Sequence, residues 1–337
     1  MRRHTVILGA GATIATIPNG DKNGKQSSVM NGLIGKLHLG DILSGIQLKT
    51  KSDNLEDIYS ELHSRPECKE AVAALEKRLY DYFASLELPD EPTVYDYLIL
   101  SLNEKDAIAT FNWDPLLLQA YVRCHSITHK LPYIFCLHGN VAMGYCSAHK
   151  EYGMTDAECP ICGELLPPTK LLYPVKNKGY TDDEYISKCW EAIQQCIEES
   201  YAITIFGYSA PSSDKEAVAL LGKAWGPLEE RQLEEVSVID VIGEDEVREK
   251  WKNLIYSHHY RYTNSFFESY LGMFPRRSCE MIFATFQCNL PPDCNAGFRE
   301  NMTWEELANY LEELLIEEYS TPDGENFPVH YVRKSHK

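Results

Sequence analysis

The sequence predicts an α/β protein in which a parallel sheet is covered by helices on both faces. Five short apolar runs recur along the chain, with stretches of helical periodicity between them. Strands buried on both faces read as such continuous runs, whereas a half-solvated sheet alternates apolar and polar residues. Four of the five runs are also followed by polar residues that would converge on one crevice. In a parallel sheet a ligand sits outside the carboxyl ends of the strands.

At 337 residues and 44% hydrophobic composition, the chain suffices for one large α/β domain with an insertion or for two domains, and it is too apolar for disorder. A formal net charge of -18, from 32 basic and 50 acidic residues, opposes the broad phosphate-tracking surface that dominates DNA binding, so no direct nucleic-acid partner is expected. No apolar run approaches the roughly 20 residues of a membrane-spanning helix. The start MRRHTVILGAGAT enters a strand pattern directly, without a signal peptide's longer apolar core, and a cytoplasmic protein is expected. Eleven cysteines in such a chain read as thiols and metal ligands rather than as a disulfide framework.

The first run, HTVILGAGAT from His4, ends in Gly9, Ala10 and Gly11. A strand followed by a glycine turn suits a nucleotide-binding fold, because glycine lets the backbone approach a pyrophosphate; a tight turn without a ligand accounts for the same residues. Residues 16–53 are rich in Gly, Asn, Ser and Lys and predict a long loop with short helical pieces, of the kind that serves as a lid. Residues 54–86 have helical periodicity interrupted near Pro66, and TVYDYLILSL continues as a helix.

DAIATFNW from Asp106 and LPYIFCLHGN from Leu131 are the second and third strands, the latter ending at His138 and Gly139. SYAITIFGYSA from Ser200 is the fourth, ending at Gly207 and Ser209, and EVSVIDVIGED from Glu235 is the fifth, ending in acidic residues. From Trp251 the chain is aromatic-rich, and SHHYRY, residues 257–262, reads as a solvated helix face. TWEELANYLEELLIEEYS then reads as an acidic amphipathic helix with Thr303 as its N-cap.

Between the third and fourth strands, YCSAHKEYGMTDAECPICGELLPP holds Cys146 and His149 in a C-x2-H pair and Cys159 and Cys162 in a C-x2-C pair. Two close pairs joined by a short loop match a structural zinc site, each knuckle giving two ligands to one tetrahedral ion. His149 is the fourth ligand or a surface histidine, with the fourth ligand elsewhere. The other cysteines, Cys68, Cys124, Cys136, Cys189, Cys196, Cys279, Cys288 and Cys294, read mostly as small buried apolar residues.

Asn112 and Asp114 stand where ligand chemistry is expected, yet Asp114 before Pro115 also suits a helix cap. His138, followed by Gly139 at a strand end, is expected in the crevice. Asp240 either binds a ribose hydroxyl or faces a helix.

In order along the chain, GAGAT, TFNWD, LHG, the cysteine-histidine insertion, FGYS and VSVIDVIGED resemble the sirtuin family over about residues 5–245. The resemblance implies a Rossmann-like NAD-binding domain carrying an inserted zinc module. It places Gly9, Ala10, Gly11 and Thr13 at the cofactor's diphosphate, and Asn112 and Asp114 at the nicotinamide ribose and catalytic water. It makes His138 the base and puts Gly207 and Ser209 on the adenosine side. Residues 1–250 are then the NAD-binding domain, with the zinc knuckle at about 141–170, and 251–337 a mostly helical C-terminal extension.

The family's deacylases follow the glycine turn with G-I-P-D-F-R, but here the chain reads TIPNGDKNG, keeping Ile17 and Pro18 without the Phe and Arg. LLYPVKNKGY after the knuckle lacks the peptide-binding strand of those enzymes. The pattern is more similar to the divergent bacterial sirtuin-like proteins that hydrolyse NAD in antiphage defence. The expectation is therefore an NAD glycohydrolase with zinc, a homo-oligomer, held inactive until a phage trigger or partner protein assembles it. Protein-lysine deacylation, or a non-catalytic module sensing NAD or ADP-ribose with the helix at 303–320 as its docking face, are the alternatives.

Overall fold

Along β1 (Arg3–Leu8) successive side chains enter opposite faces of the sheet: Val6 and Leu8 join one core, Ile7 a second. That alternation into two dry cores is why the strand has no polar face. β1 is flanked by β2 (Ala107–Thr110) and β6 (Ser200–Phe206), both parallel to it. β3 (Tyr133–Cys136) lies outside β2, while β7 (Glu235–Ile239) and β8 (Tyr260–Thr263) lie outside β6. The resulting six-stranded sheet has the order β3-β2-β1-β6-β7-β8 and is parallel throughout. A separate antiparallel hairpin pairs β4 (Met143–Cys146) with β5 (Glu151–Met154).

The computed structural model describes residues 2–30, 32–175, 179–255, 260–289 and 297–320. α1 (Ala10–Thr16) follows β1, and the loop expected at 16–53 contains the one-turn helices α2 (Leu33–Lys36) and α3 (Gly40–Leu43). Asn54 caps α4 (Leu55–His63) by accepting from Glu56 N at 2.8 Å. Pro66 opens a short 3-10 turn before α5 (Lys69–Ala84), because its ring and missing N–H interrupt the helix there. α6 (Val94–Leu100) begins with a Thr93–Asp96 capping box, and α7 (Leu116–Cys124) follows β2. α8 (Glu184–Glu198), α9 (Lys215–Trp225) and α10 (Glu244–Trp251) cover the second face, where Trp190, Trp225 and Trp251 are buried.

β8 corrects the helix-face reading of SHHYRY. Residues 257–259 lie outside the described ones, and Tyr260–Thr263 is an edge strand. Tyr260 and Tyr262 pack on the second core, while the Arg261 guanidinium lies 4.9 Å from the Tyr270 ring. A half-covered edge strand of aromatic, charged and β-branched residues shows no continuous apolar run, which is why the sequence concealed it. Beyond it come α11 (Tyr270–Met273), α12 (Ser278–Cys288) and α13 (Trp304–Ser320).

Thr303 caps α13 as expected, accepting from Glu306 N at 3.2 Å while its own N–H donates to Glu306 Oε2 at 2.8 Å. Leu307, Leu311 and Leu314 of α13 are buried in the first core, so the helix's apolar stripe is occupied within the chain. Among the cysteines outside the knuckle, Cys288 is exposed, contrary to the buried reading, because it ends α12; Cys294 lies outside the described residues and the other six are buried. No described helix is long and apolar enough to cross a membrane.

Candidate active site and metal centre

The strand order reverses between β1 and β6, and the loops after β1, β2, β3 and β6 all leave one edge of the sheet. The crevice of such a fold lies there. Two of these loops touch: Gly11 N donates to Gly207 O at 2.9 Å and Gly9 N to Phe206 O at 3.0 Å. An added Cβ would stand 2.5 Å from Tyr208 Cα at Gly9 and 2.7 Å from Gly207 Cα at Gly11. Gly207 has φ +59°, a left-handed conformation, and its Cβ would fall on the Ala12 nitrogen. The three glycines thus let the β1 and β6 loops close on each other, and they form the floor at the strand ends where such a fold places its crevice.

Asn112 is buried beside this floor. Its Nδ2 donates to Gly9 O (2.9 Å) and contacts Thr13 Oγ1 (3.0 Å) and Tyr95 OH (3.1 Å). Thr13 Oγ1 donates to Asp114 Oδ2 at 2.8 Å and lies 2.9 Å from Tyr95 OH. A carboxylate only accepts and Thr13 has one hydroxyl proton, so Tyr95 is the donor to Thr13. Asp114 Oδ1 accepts from Leu116 N at 3.1 Å and so braces the turn into α7, whose N-cap position is Pro115. Burial pushes the Asp114 carboxyl up, opposed by the Thr13 hydroxyl and the Leu116 N–H. Thr13, which the sirtuin resemblance places at the diphosphate, has its hydroxyl turned inward to Asp114.

Asn140, which sequence reasoning missed, ties the end of β3 to this network. Its Nδ2 donates to Asp114 O at 2.6 Å. Tyr95 was missed as well, for it lies inside an ordinary apolar helix with no local mark. Asn140 had a signal, standing two residues after His138 at a strand end.

His138 is 5% exposed and enclosed by aromatic rings. Phe111 meets it edge-on at 4.8 Å between centroids, and Tyr180 stacks on it at 5.8 Å with its hydroxyl 3.4 Å from Nε2. Phe111 in turn stacks on Tyr208 at 4.2 Å, linking the ends of β2 and β6. The loops therefore bring Gly9, Gly11, Thr13, Asn112, Asp114 and Gly207 together, with Ala10 opening α1 beside them, and set His138 on the adjoining strand end. Ser209 is exposed, and Asp240 accepts from Val241 N (2.7 Å) and Ile242 N (3.2 Å), capping its own turn. Neither is hydrogen-bonded to the Asn112 network.

α4 spans this edge. Ser213 Oγ, after β6, donates to Glu56 Oε2 at 3.1 Å, and Ser60 Oγ donates to Pro174 O at 2.9 Å.

The knuckle residues converge: the ligand atoms of Cys146, His149, Cys159 and Cys162 all lie within 4.8 Å of one another. His149 Nδ1 is 3.4 Å from Cys146 Sγ and 3.6 Å from Cys159 Sγ. Tetrahedral zinc with bonds of about 2.3 Å to sulfur and about 2.0–2.1 Å to nitrogen needs such spacings. The backbone N–H of Cys162, foremost, lowers the Cys159 thiol to about 6, favouring the thiolate that binds metal. His149 is thus the fourth member of a set that fits zinc.

No protein-family model matches the chain, and no curated protein matches it. Solved structures with some likeness include a Sir2 homologue in complex with NAD, at 14% identity and TM-score 0.39, covering 83% of this chain and 89% of that one. A Sir2 protein bound to acetylated peptide matches at 14% identity and TM-score 0.38, covering 86% and 93%. A Sir2 homologue mutant in complex with ADP-ribose matches at 15% and 0.35, covering 70% and 79%.

Proposed function

We propose that this protein is an NAD glycohydrolase that cleaves NAD to nicotinamide and ADP-ribose and is triggered in antiphage defence. The observation that carries the reading is the Asn112 amide, buried at the strand-order reversal and fixed by Gly9, Thr13 and Tyr95. With its nitrogen engaged there, Asn112 offers a ligand its Oδ1, an acceptor suited to a water or ribose hydroxyl. The bond between ribose C1 and the pyridinium nitrogen breaks with its electron pair leaving on nicotinamide. Water adds to the oxocarbenium carbon, and His138 takes the water's proton. Asp114 acts as a positioning residue through Thr13 and lends negative charge near the ribose cation.

The matches of GAGAT, TFNWD and LHG to sirtuin motifs support NAD as the substrate. In this reading Gly9, Ala10, Gly11 and Thr13 receive the diphosphate, Gly207 and Ser209 line the adenosine side, and Asp240 binds a ribose hydroxyl. The missing arginine after Pro18 supports hydrolysis over acyl transfer. Unrestrained NAD loss would harm the cell, so a phage trigger or partner protein, acting on a homo-oligomer, belongs to the proposal. The loop at 16–53 and α4, which bridges Ser213 and Pro174, are the gate.

Protein-lysine deacylation is the second reading, favoured by the convergence of four zinc ligands. Incubating the zinc-replete protein with NAD, with and without an acetyl-lysine peptide, separates the two. Slow release of ADP-ribose and nicotinamide without peptide is expected from the untriggered protein, and is lost in Asn112→Ala with folding intact. O-acyl-ADP-ribose formed only with peptide would establish deacylation instead.

A further inference from the structure

Away from the crevice, at the open β3 edge of the sheet, lies a cavity of about 690 Å³ between α7, α8 and the β4–β5 hairpin. Its volume falls within the roughly 300–1,000 Å³ typical of small-molecule sites. None of Gly9, Asn112 or His138 lines it. The inner wall is apolar and aromatic, with Leu118, Met143, Met154 and Tyr185 among its residues. Three side chains at its surface, Val122, Tyr133 and Tyr152, are 58%, 58% and 68% exposed, an unusual concentration of large apolar groups in water.

The charge at this cavity runs against the rest of the molecule. In a chain with 50 acidic and 32 basic residues, no acidic residue among the described ones lines the cavity, whereas Lys150 and Lys188 do. Glu184, beside it, bonds both lysines: Lys150 Nζ at 2.5 Å and Lys188 Nζ at 3.7 Å. One carboxylate between two ammonium groups leaves a net positive charge. Lys188 Nζ also lies 3.3 Å from Tyr145 OH, which holds it against the aromatic wall.

We propose that this cavity is a binding site for a small amphipathic carboxylate, its apolar body between α7, α8 and the hairpin and its carboxylate at Lys150 and Lys188. The apolar wall supplies the burial and the lysines set the polarity of the end that stays near water.

Decanoate and its uncharged counterpart 1-decanol test the assignment by calorimetric titration of the full chain. One decanoate per chain is expected, with 1-decanol bound about tenfold more weakly. Lys150→Gln/Lys188→Gln should remove the preference for decanoate, and Val122→Glu, at an exposed position that leaves the fold intact, should weaken decanoate about tenfold. Asn112→Ala should leave decanoate binding unchanged. Absence of decanoate binding, equal affinity for 1-decanol, or indifference to the lysine pair and to Val122→Glu would overturn the proposal, as would loss of binding in Asn112→Ala.

Discussion

Thr13 Oγ1 donates to Asp114 Oδ2 across 2.8 Å, joining α1 to the loop after β2 beneath Asn112. Thr13→Val keeps the shape but leaves the buried carboxylate short of a donor, a loss of about 1–3 kcal/mol. Urea unfolding should show that loss, and NAD turnover should fall with it because Asn112 and Tyr95 lose their common partner. Thr13→Ser should recover most of both. A Thr13→Val protein as stable and active as the parent would show that the network positions nothing.

Much of the scaffold could be read from the sequence because both faces of the sheet are buried, which makes a stretch such as Val6–Leu8 an uninterrupted apolar run. The knuckle was legible because metal ligands must lie at short fixed spacings. β8 was hidden, since an edge strand such as Tyr260–Thr263 need not be apolar on both faces. The direction of Thr13 and the parts played by Tyr95 and Asn140 depend on contacts between residues about 17 to 103 positions apart, and no local pattern encodes those. Asp114 read equally as cap and site residue; in the structure one oxygen accepts from Leu116 N at the start of α7 and the other holds Thr13.

Gly207 is the tightest point of the crevice floor. Gly207→Ala combines an unfavourable positive φ with overlap on α1, and should cost about 2–5 kcal/mol. Gly24 has a similar φ of +77° but open space around its Cβ position, so Gly24→Ala should cost only the backbone strain, about 1–2 kcal/mol. Thermal unfolding of the two variants checks the difference. Equal losses would mean that the approach of the β1 and β6 loops is not what requires glycine at 207.

Zinc analysis of the purified protein should find about one ion per chain, the number a single four-ligand site holds. Cys159→Ser should abolish it. Because β4 and β5 form a two-stranded sheet separate from the main one, metal loss should open the hairpin to protease while the six-stranded sheet keeps its circular dichroism. Retention of zinc in Cys159→Ser would exclude that cysteine as a ligand.

Two buried groups give the stability of the fold opposite pH slopes. Glu235, 3% exposed at the start of β7, is pushed up to about 7 by burial, against the attraction of Arg261. The unfolded side chain titrates near 4.3, so the folded state holds a proton that the unfolded chain releases between about pH 4 and 7. Its contribution is full below about pH 4 and lost as pH rises to about 7. His4, held by Ser278 and Thr204 at 2.7 Å each, is lowered to about 3 by burial and then by Lys105. Its contribution is full above about 6.5 and lost as pH falls toward 3. Glu235→Gln deletes only the first slope. Relative to the parent, the variant should therefore gain on the order of 1–3 kcal/mol between pH 5 and pH 8 in urea unfolding. A difference of opposite sign, or none, would show that Glu235 is ionised in the folded protein across that range.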